Sequence, residues 1–215
     1  MYFDYSVIKQ HRLYPFVVPV LKLLSHIVYS TKCAGIHNVP ESGKLIIACN
    51  HIAFSDPALI VAYCPRTVHF MAKSELFEMR AKAWLMRNMN AFPVKRNTSD
   101  RMALSYSKKI LEKDWVLGIF PEGRRVKESK IPTQGKTGVA FLCRMSGADV
   151  LPVCIHKTYD GFIRPRVKIR FGKVIRNEDL GFANIDRNEE LRKATDKIMD
   201  AVKLLWEEEN ADKGC

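Results

Sequence analysis

Short apolar runs alternate along this chain with stretches of helical periodicity, and that alternation constrains the fold to the α/β class. The strand-like runs are Lys44 to Cys49, Thr67 to Ala72, Ala91 to Val94, Trp115 to Phe120 and Val150 to His156, with Arg166 to Ile175 as a later strand or hairpin. Between them the spacing predicts helices over Pro57 to Tyr63, Glu75 to Met89, Asp100 to Lys113 and Gly138 to Met145, and a long terminal helix from about Glu189 to Glu207. In that last helix Leu191, Ala194, Ile198, Ala201 or Val202, and Leu205 recur at helical spacing, the mark of a packing helix with a charged outer face. The expected architecture is a mixed, mostly parallel sheet flanked by helices. A chain of 215 residues that is 47% hydrophobic is long enough for one well-packed domain, and no Gly-, Ser- or Pro-rich linker divides it.

The loop after the first of these runs carries the chemistry. In Asn50-His51-Ile52-Ala53-Phe54-Ser55-Asp56-Pro57 the His closes a strand-like run and the Asp opens a helix-like one, so both fall where α/β proteins gather functional side chains. An imidazole can take a proton from an attacking hydroxyl near neutral pH, while a carboxylate beside it fixes the tautomer and stabilises the imidazolium. The same Asp-Pro pair is also what a helix N-cap and first turn look like, so a purely structural role is open at this point. No Gly-x-Ser-x-Gly elbow occurs, which assigns the attacking hydroxyl to the substrate. Cys49, inside an apolar run, reads as a small buried hydrophobe. A second acidic signature, Phe120-Pro121-Glu122-Gly123-Arg124-Arg125, follows a later strand, though Pro and Gly there also suit an ordinary turn. His51, Lys73, Arg96 and Glu122 each lie at or just past the C-terminal end of a predicted strand, where an open α/β sheet forms its ligand crevice.

Taken in order, Asn50-His51-x4-Asp56, Phe92-Pro93-Val94-Lys95-Arg96, Phe120-Pro121-Glu122-Gly123 and Leu151-Pro152-Val153 resemble the four blocks of the glycerolipid acyltransferases, specifically the 1-acyl-sn-glycerol-3-phosphate acyltransferase (PlsC-like) family. Phe70 to Phe77 and Lys136-Thr137-Gly138 fit the same pattern, and the likeness covers about residues 35 to 175. The resemblance implies transfer of a fatty acyl group from a thioester donor, acyl-coenzyme A or acyl-acyl carrier protein, to the free hydroxyl of a lysophospholipid. It implies His51 as general base and Asp56 as its orienter, with no acyl-enzyme. Lys73, Arg96 and Arg125 match positions associated with the acceptor phosphate, Glu122 and Gly123 would line the acceptor site, and Lys136 would add a cation at a helix start. No cofactor and no metal are implied. Arg124 stands where the family usually has Thr, a departure that bears on the acceptor pocket.

Charge points to the same partners. The net charge of +12 is concentrated mid-chain: residues 66 to 110 hold 10 Lys or Arg against 3 acids, whereas residues 178 to 215 hold 6 against 11. Such a surplus suits a polyanion, and without a nucleic-acid motif or interleaved aromatics an anionic membrane surface is favoured over nucleic acid. Residues 1 to 34 read as an N-terminal amphipathic, interfacial helical segment ahead of a catalytic domain over 35 to 215. The run from Leu13 to Tyr29 is apolar but broken by two prolines and Lys22, too short to span and without a signal-peptidase site. This predicts peripheral or monotopic association with the cytoplasmic face of a bacterial inner membrane, with an amphipathic helix packed on the domain's own core as the alternative. The 6 cysteines form no C-x-x-C pair, which argues against a disulfide framework or zinc site and for a reducing compartment. His11, His26, His37, His69 and His156 have no partner pattern and read as structural or surface residues. A noncatalytic module binding anionic membranes and a thioester hydrolase are the competing readings.

Overall fold

The computed structural model describes residues 3–8, 10–95, 98, 100–126, 132, 134–159, 164–183 and 185–211. Its seven-stranded sheet comprises β1 (Ser30–Ala34), β2 (Leu45–Cys49), β3 (Val68–Lys73), β4 (Ala91–Val94), β5 (Val116–Ile119), β6 (Asp149–Thr158) and β7 (Arg166–Phe171), in the spatial order β1-β7-β6-β2-β5-β3-β4. Strands β2 to β6 are mutually parallel; β7 runs antiparallel to β6, and β1 parallel to β7. Helices α1 (Tyr14–Val28), α2 (Asp56–Tyr63) and α3 (Arg80–Asn88) cover one face, and α4 (Arg101–Glu112), α5 (Gly138–Ser146) and α6 (Arg187–Ala211) the other.

Strand β2 shows why helices are needed on both sides. All five of its side chains are fully buried, Leu45, Ile47 and Cys49 in one core and Ile46 and Ala48 in the other. A strand with two apolar faces is stable only when both are covered. Burying each large aliphatic side chain contributes about 1.5–3 kcal/mol, so this central strand is held mainly by its sandwich of helices.

Several expected elements take a different form. Strand β1 is absent from the sequence reading because Ser-Thr-Lys-Cys-Ala carries no apolar run; it becomes a strand only because β7 offers a ladder, from Ser30 opposite Arg166 to Ala34 opposite Arg170. Gly35 then turns the chain with φ +74°, where a Cβ would meet the Phe171 carbonyl oxygen at 2.0 Å. The single helix expected over Glu75 to Met89 is a 3-10 turn, Ser74–Phe77, followed by α3, because Met79 adopts extended backbone while Phe77 is drawn into the core. The strand or hairpin expected over Arg166 to Ile175 is the strand β7 plus a single antiparallel bridge from Ile175 to Val150. In α6 the charged face is not wholly outward: buried Glu209 receives Lys168 at 2.9 Å and also Arg170, pinning the helix to β7.

The N-terminal segment is built into the domain on one side and bare on the other. Tyr14 is buried and its hydroxyl accepts the Val68 N–H at 3.0 Å, while the Ser25 hydroxyl meets that of Tyr63 at 3.0 Å. Ahead of the helix, Phe3 and Tyr5 pack edge-to-face on Tyr106. The opposite side of α1 leaves Phe16, Val20, Leu23 and Ile27 exposed. Among the described residues no helix is long and apolar enough to cross a membrane.

Candidate active site

The loop after β2 begins with a clamp. Asn50 is buried, and its amide donates to the Ile155 carbonyl and accepts the Ile155 N–H, both at 2.8 Å, tying the end of β2 to β6. This bidentate bond fixes where the next residue leaves the sheet. His51 follows, with its N–H donated to Oε2 of Glu122 at 2.9 Å and its carbonyl accepting the Val126 N–H at 2.8 Å. The loops after the neighbouring parallel strands β2 and β5 are thus stitched together, as their adjacency in the sheet requires.

Nδ1 of His51 lies 2.7 Å from Oδ2 of Asp56, with 12% and 1% of the two side chains exposed. The same oxygen accepts the N–H groups of Ile52 and Ala53 at 2.7 and 2.8 Å. Asp56 therefore turns back into the loop. Ser55 occupies the N-cap position of α2, so the capping alternative for Asp56 falls. With Nδ1 engaged by the carboxylate, Nε2 is the nitrogen left to accept a proton. The ring stacks on Phe120 at 4.1 Å and 20°, and Phe120 on Phe70 at 5.6 Å, which limits tilting of the imidazole.

Glu122 sits beneath this pair. Burial pushes its carboxyl up to about 7 and the nearby Asp56 charge adds to the effect, while the His51 N–H and Arg124 pull the other way. Its Oε1 is buried without a hydrogen-bond partner among the described residues. Gly123 turns the chain with φ +68°, and a Cβ there would lie 3.0 Å from Cε of Lys136, so the Lys136 side chain crosses over the glycine. Lys73, the last residue of β3, is exposed and ion-paired with Glu75 at 2.8 Å; that hydrogen bond holds the Glu75 carboxyl down at about 2.

His51, Lys73 and Arg125 line one cavity of about 400 Å³, otherwise walled largely by apolar groups such as Leu21, Phe70, Leu76, Met86 and Met89. Of the residues singled out in the sequence, His51, Lys73 and Arg125 line this cavity, Asp56 and Glu122 bond to His51, and Lys136 crosses Gly123 next to Glu122; Arg96 lies outside the described residues. Among the described residues no group of three or more His, Cys, Asp or Glu could hold a metal ion. Sequence reasoning assigned no role to Asn50 or Phe120, although both stand inside recognised blocks. It had no signal for the cavity, whose walls come from α1, α2, α3, β3 and β5 loops together. His69 and His156 are core residues: burial lowers His69 to about 3 as it stacks on Trp115, and His156 meets Asn210 at 3.0 Å.

The Acyltransferase family profile matches residues 30–156, more than half of the chain and the whole span carrying these side chains. This chain belongs to that family. It is a PlsC-like acyltransferase, 27% identical over 197 residues to the 1-acyl-sn-glycerol-3-phosphate acyltransferase of Bacillus subtilis (strain 168), covering 90% of this chain and 96% of that protein. It is 31% identical over 173 residues to the protein of the same name from Streptococcus pneumoniae (strain ATCC BAA-255 / R6), covering 78% of this chain and 62% of that one. The crystal structure of the 1-acyl-sn-glycerophosphate (LPA) acyltransferase PlsC from Thermotoga maritima shares the fold, with a TM-score of 0.72 over 95% of this chain and 84% of that one at 24% identity. For this acyltransferase the noncatalytic reading lapses.

Proposed function

We propose that this acyltransferase moves a fatty acyl group from a thioester to the free hydroxyl of a lysophospholipid, with 1-acyl-sn-glycerol-3-phosphate as acceptor and phosphatidic acid as product. The observation that carries the reading is the His51–Asp56 pair at the wall of an apolar cavity that also has Lys73 and Arg125 on its lining. Acyl chain, reacting group and phosphate each find a matching chemistry there.

In the reaction Nε2 of His51 takes the acceptor hydroxyl proton as the oxygen attacks the thioester carbonyl. Asp56 keeps Nδ1–H in place and stabilises the imidazolium. Collapse of the tetrahedral intermediate breaks the C–S bond, and the departing thiolate recovers the proton from His51. The products are a new ester and a free thiol, and no covalent enzyme intermediate forms. Neither cofactor nor metal is required, since the donor, acyl-coenzyme A or acyl-acyl carrier protein, is a co-substrate. Lys73, Arg125, Lys136 and Arg96 would supply the positive charge that a phosphate monoester demands. Glu122 shapes the loop through the His51 N–H, and Gly123 leaves room for Lys136. The bare side of α1 would rest on an anionic membrane surface at the cytoplasmic face, where such acceptors reside.

Mass spectrometry of products formed from a panel of lysophospholipids with each donor tests the reading. Phosphatidic acid from lysophosphatidic acid is expected. Thioester loss at the same rate without any acceptor would instead mean hydrolysis.

A further inference from the structure

The cavity has a second apolar border besides α1. Helix α3 supplies Leu85 and Met86 to its wall and its C-cap residue Met89 adds to them, and Phe54 joins from the loop after His51. Beyond the wall α3 leaves Trp84 60% exposed and Met79, just before its first turn, 56% exposed; Phe54 is 57% exposed. Packing of α3 onto the domain rests on Ala83, Met86 and Asn88, which are buried. An indole standing in water on a nine-residue helix adds nothing to that packing.

Its neighbours indicate what it meets. Helix α3 carries Arg80, Lys82 and Arg87 and no acid, and Arg80 and Lys82 are exposed. Trp flanked by Arg and Lys is the composition of a helix lying at a water–lipid boundary, with the ring at headgroup depth and the cations reaching phosphates. A two-fold contact with another copy through this helix would set Arg80 and Lys82 against their own counterparts, whereas an anionic leaflet offers the opposite charge.

We propose that α3 and the Phe54 loop form a second membrane contact, distinct from α1, which seats the mouth of the cavity on an anionic bilayer. Acyl chains then pass between leaflet and cavity without crossing water. The purpose of the contact rests on the acyl-transfer reading, but the contact itself is measured without substrate.

The test uses the full chain with vesicles of equal phosphatidylglycerol and phosphatidylcholine bearing brominated acyl chains. Tryptophan emission of the wild-type protein should be quenched, and Trp84→Phe should lose most of that quenching, because Trp115 and Trp206 are half-buried. In the double variant Met79→Gln/Trp84→Gln, partition onto the vesicles should fall roughly tenfold, with turnover of membrane-embedded acceptor falling alongside. Turnover of a short-chain acceptor in solution should be retained. Equal quenching in wild type and Trp84→Phe, or undiminished partition of the folded double variant, would overturn the proposal. Failure of the acyl-transfer reading looks different: the wild-type protein forms no product from either acceptor, whatever the fluorescence reports.

Discussion

Asp56 holds the His51 ring at 2.7 Å through the same carboxylate oxygen that ties down the loop leading into it. Orientation of the base and shape of the loop are therefore one interaction. His51→Ala should lower kcat by roughly 10²–10⁴-fold while leaving the protein folded, since Asp56 keeps the Ile52 and Ala53 N–H groups when the ring is removed. Asp56→Asn retains an acceptor oxygen and should lose less. Asp56→Ala strands two N–H groups and should cost stability as well, about 1–3 kcal/mol for each one left unsatisfied. Release of free thiol from the donor, read beside urea midpoints, separates these outcomes; full turnover in a folded His51→Ala protein would sink the assignment.

Lys73→Ala, Arg125→Ala and Lys136→Ala should each raise the acceptor KM by roughly 10–100-fold, the size of a lost charge-assisted hydrogen bond, with a smaller change in kcat. The effect should shrink for an acceptor whose phosphate bears a head group and one less charge. Lys73 has Glu75 as a partner, but both are exposed, and such a pair contributes too little to hold it from a phosphate. Arg124 acts on Glu122 electrostatically, so Arg124→Thr should alter acceptor preference more than donor preference. Equal losses with charged and uncharged acceptors would remove the phosphate role.

Glu122 makes stability fall with rising pH. Its carboxyl titrates at about 7 in the fold against 4.5 as an unperturbed group, so between those values the native state holds a proton that the unfolded chain has released. The native state is thus favoured fully below about pH 4.5 and loses that advantage as pH climbs to about 7. Glu122→Gln still accepts the His51 N–H but cannot titrate, so its urea midpoint should decline less than the wild type's between about pH 4 and about pH 8, which bracket the shift. Parallel curves would show that Glu122 ionises normally.

Gly123→Ala puts a side chain where φ is +68° and where Cε of Lys136 already lies within 3.0 Å of the new atom. Left-handed backbone costs an L-residue about 1–2 kcal/mol, and the flexible Lys136 must swing aside. A modest loss of stability with a raised acceptor KM is expected. An unchanged KM would separate Lys136 from the acceptor.

Ala91→Leu should shorten the preferred acyl chain, because Ala91 lines the cavity and is only 6% exposed. Each methylene that no longer fits forfeits about 0.8 kcal/mol of burial, so discrimination against long donors should grow by roughly fourfold per carbon. Competition between donors of graded length measures it, and an unaltered profile would mean that the chain lies elsewhere.

The sequence by itself determined the elements whose signal is local. The doubly apolar run from Leu45 to Cys49 can only be a covered central strand, and the His51 to Asp56 spacing across a strand-to-helix junction is legible because both residues sit within one short loop. Tertiary structure decided what depends on partners distant in the chain. β1 is a strand only because β7 pairs with it, and Met79 breaks a helix that periodicity alone would continue, since Phe77 is drawn into the core. The local pattern of Asp56 and Pro57 equally suits a cap on α2, yet the Asp56 oxygen turns toward His51, Ile52 and Ala53. The stacking of His51 on Phe120 and the bond from the His51 N–H to Glu122 arise where β2 and β5 lie side by side, and the cavity where α1, α2 and α3 meet β3 and β4. Strand order is a property of the whole sheet, set by which apolar faces can be covered at once, and no window of sequence contains it.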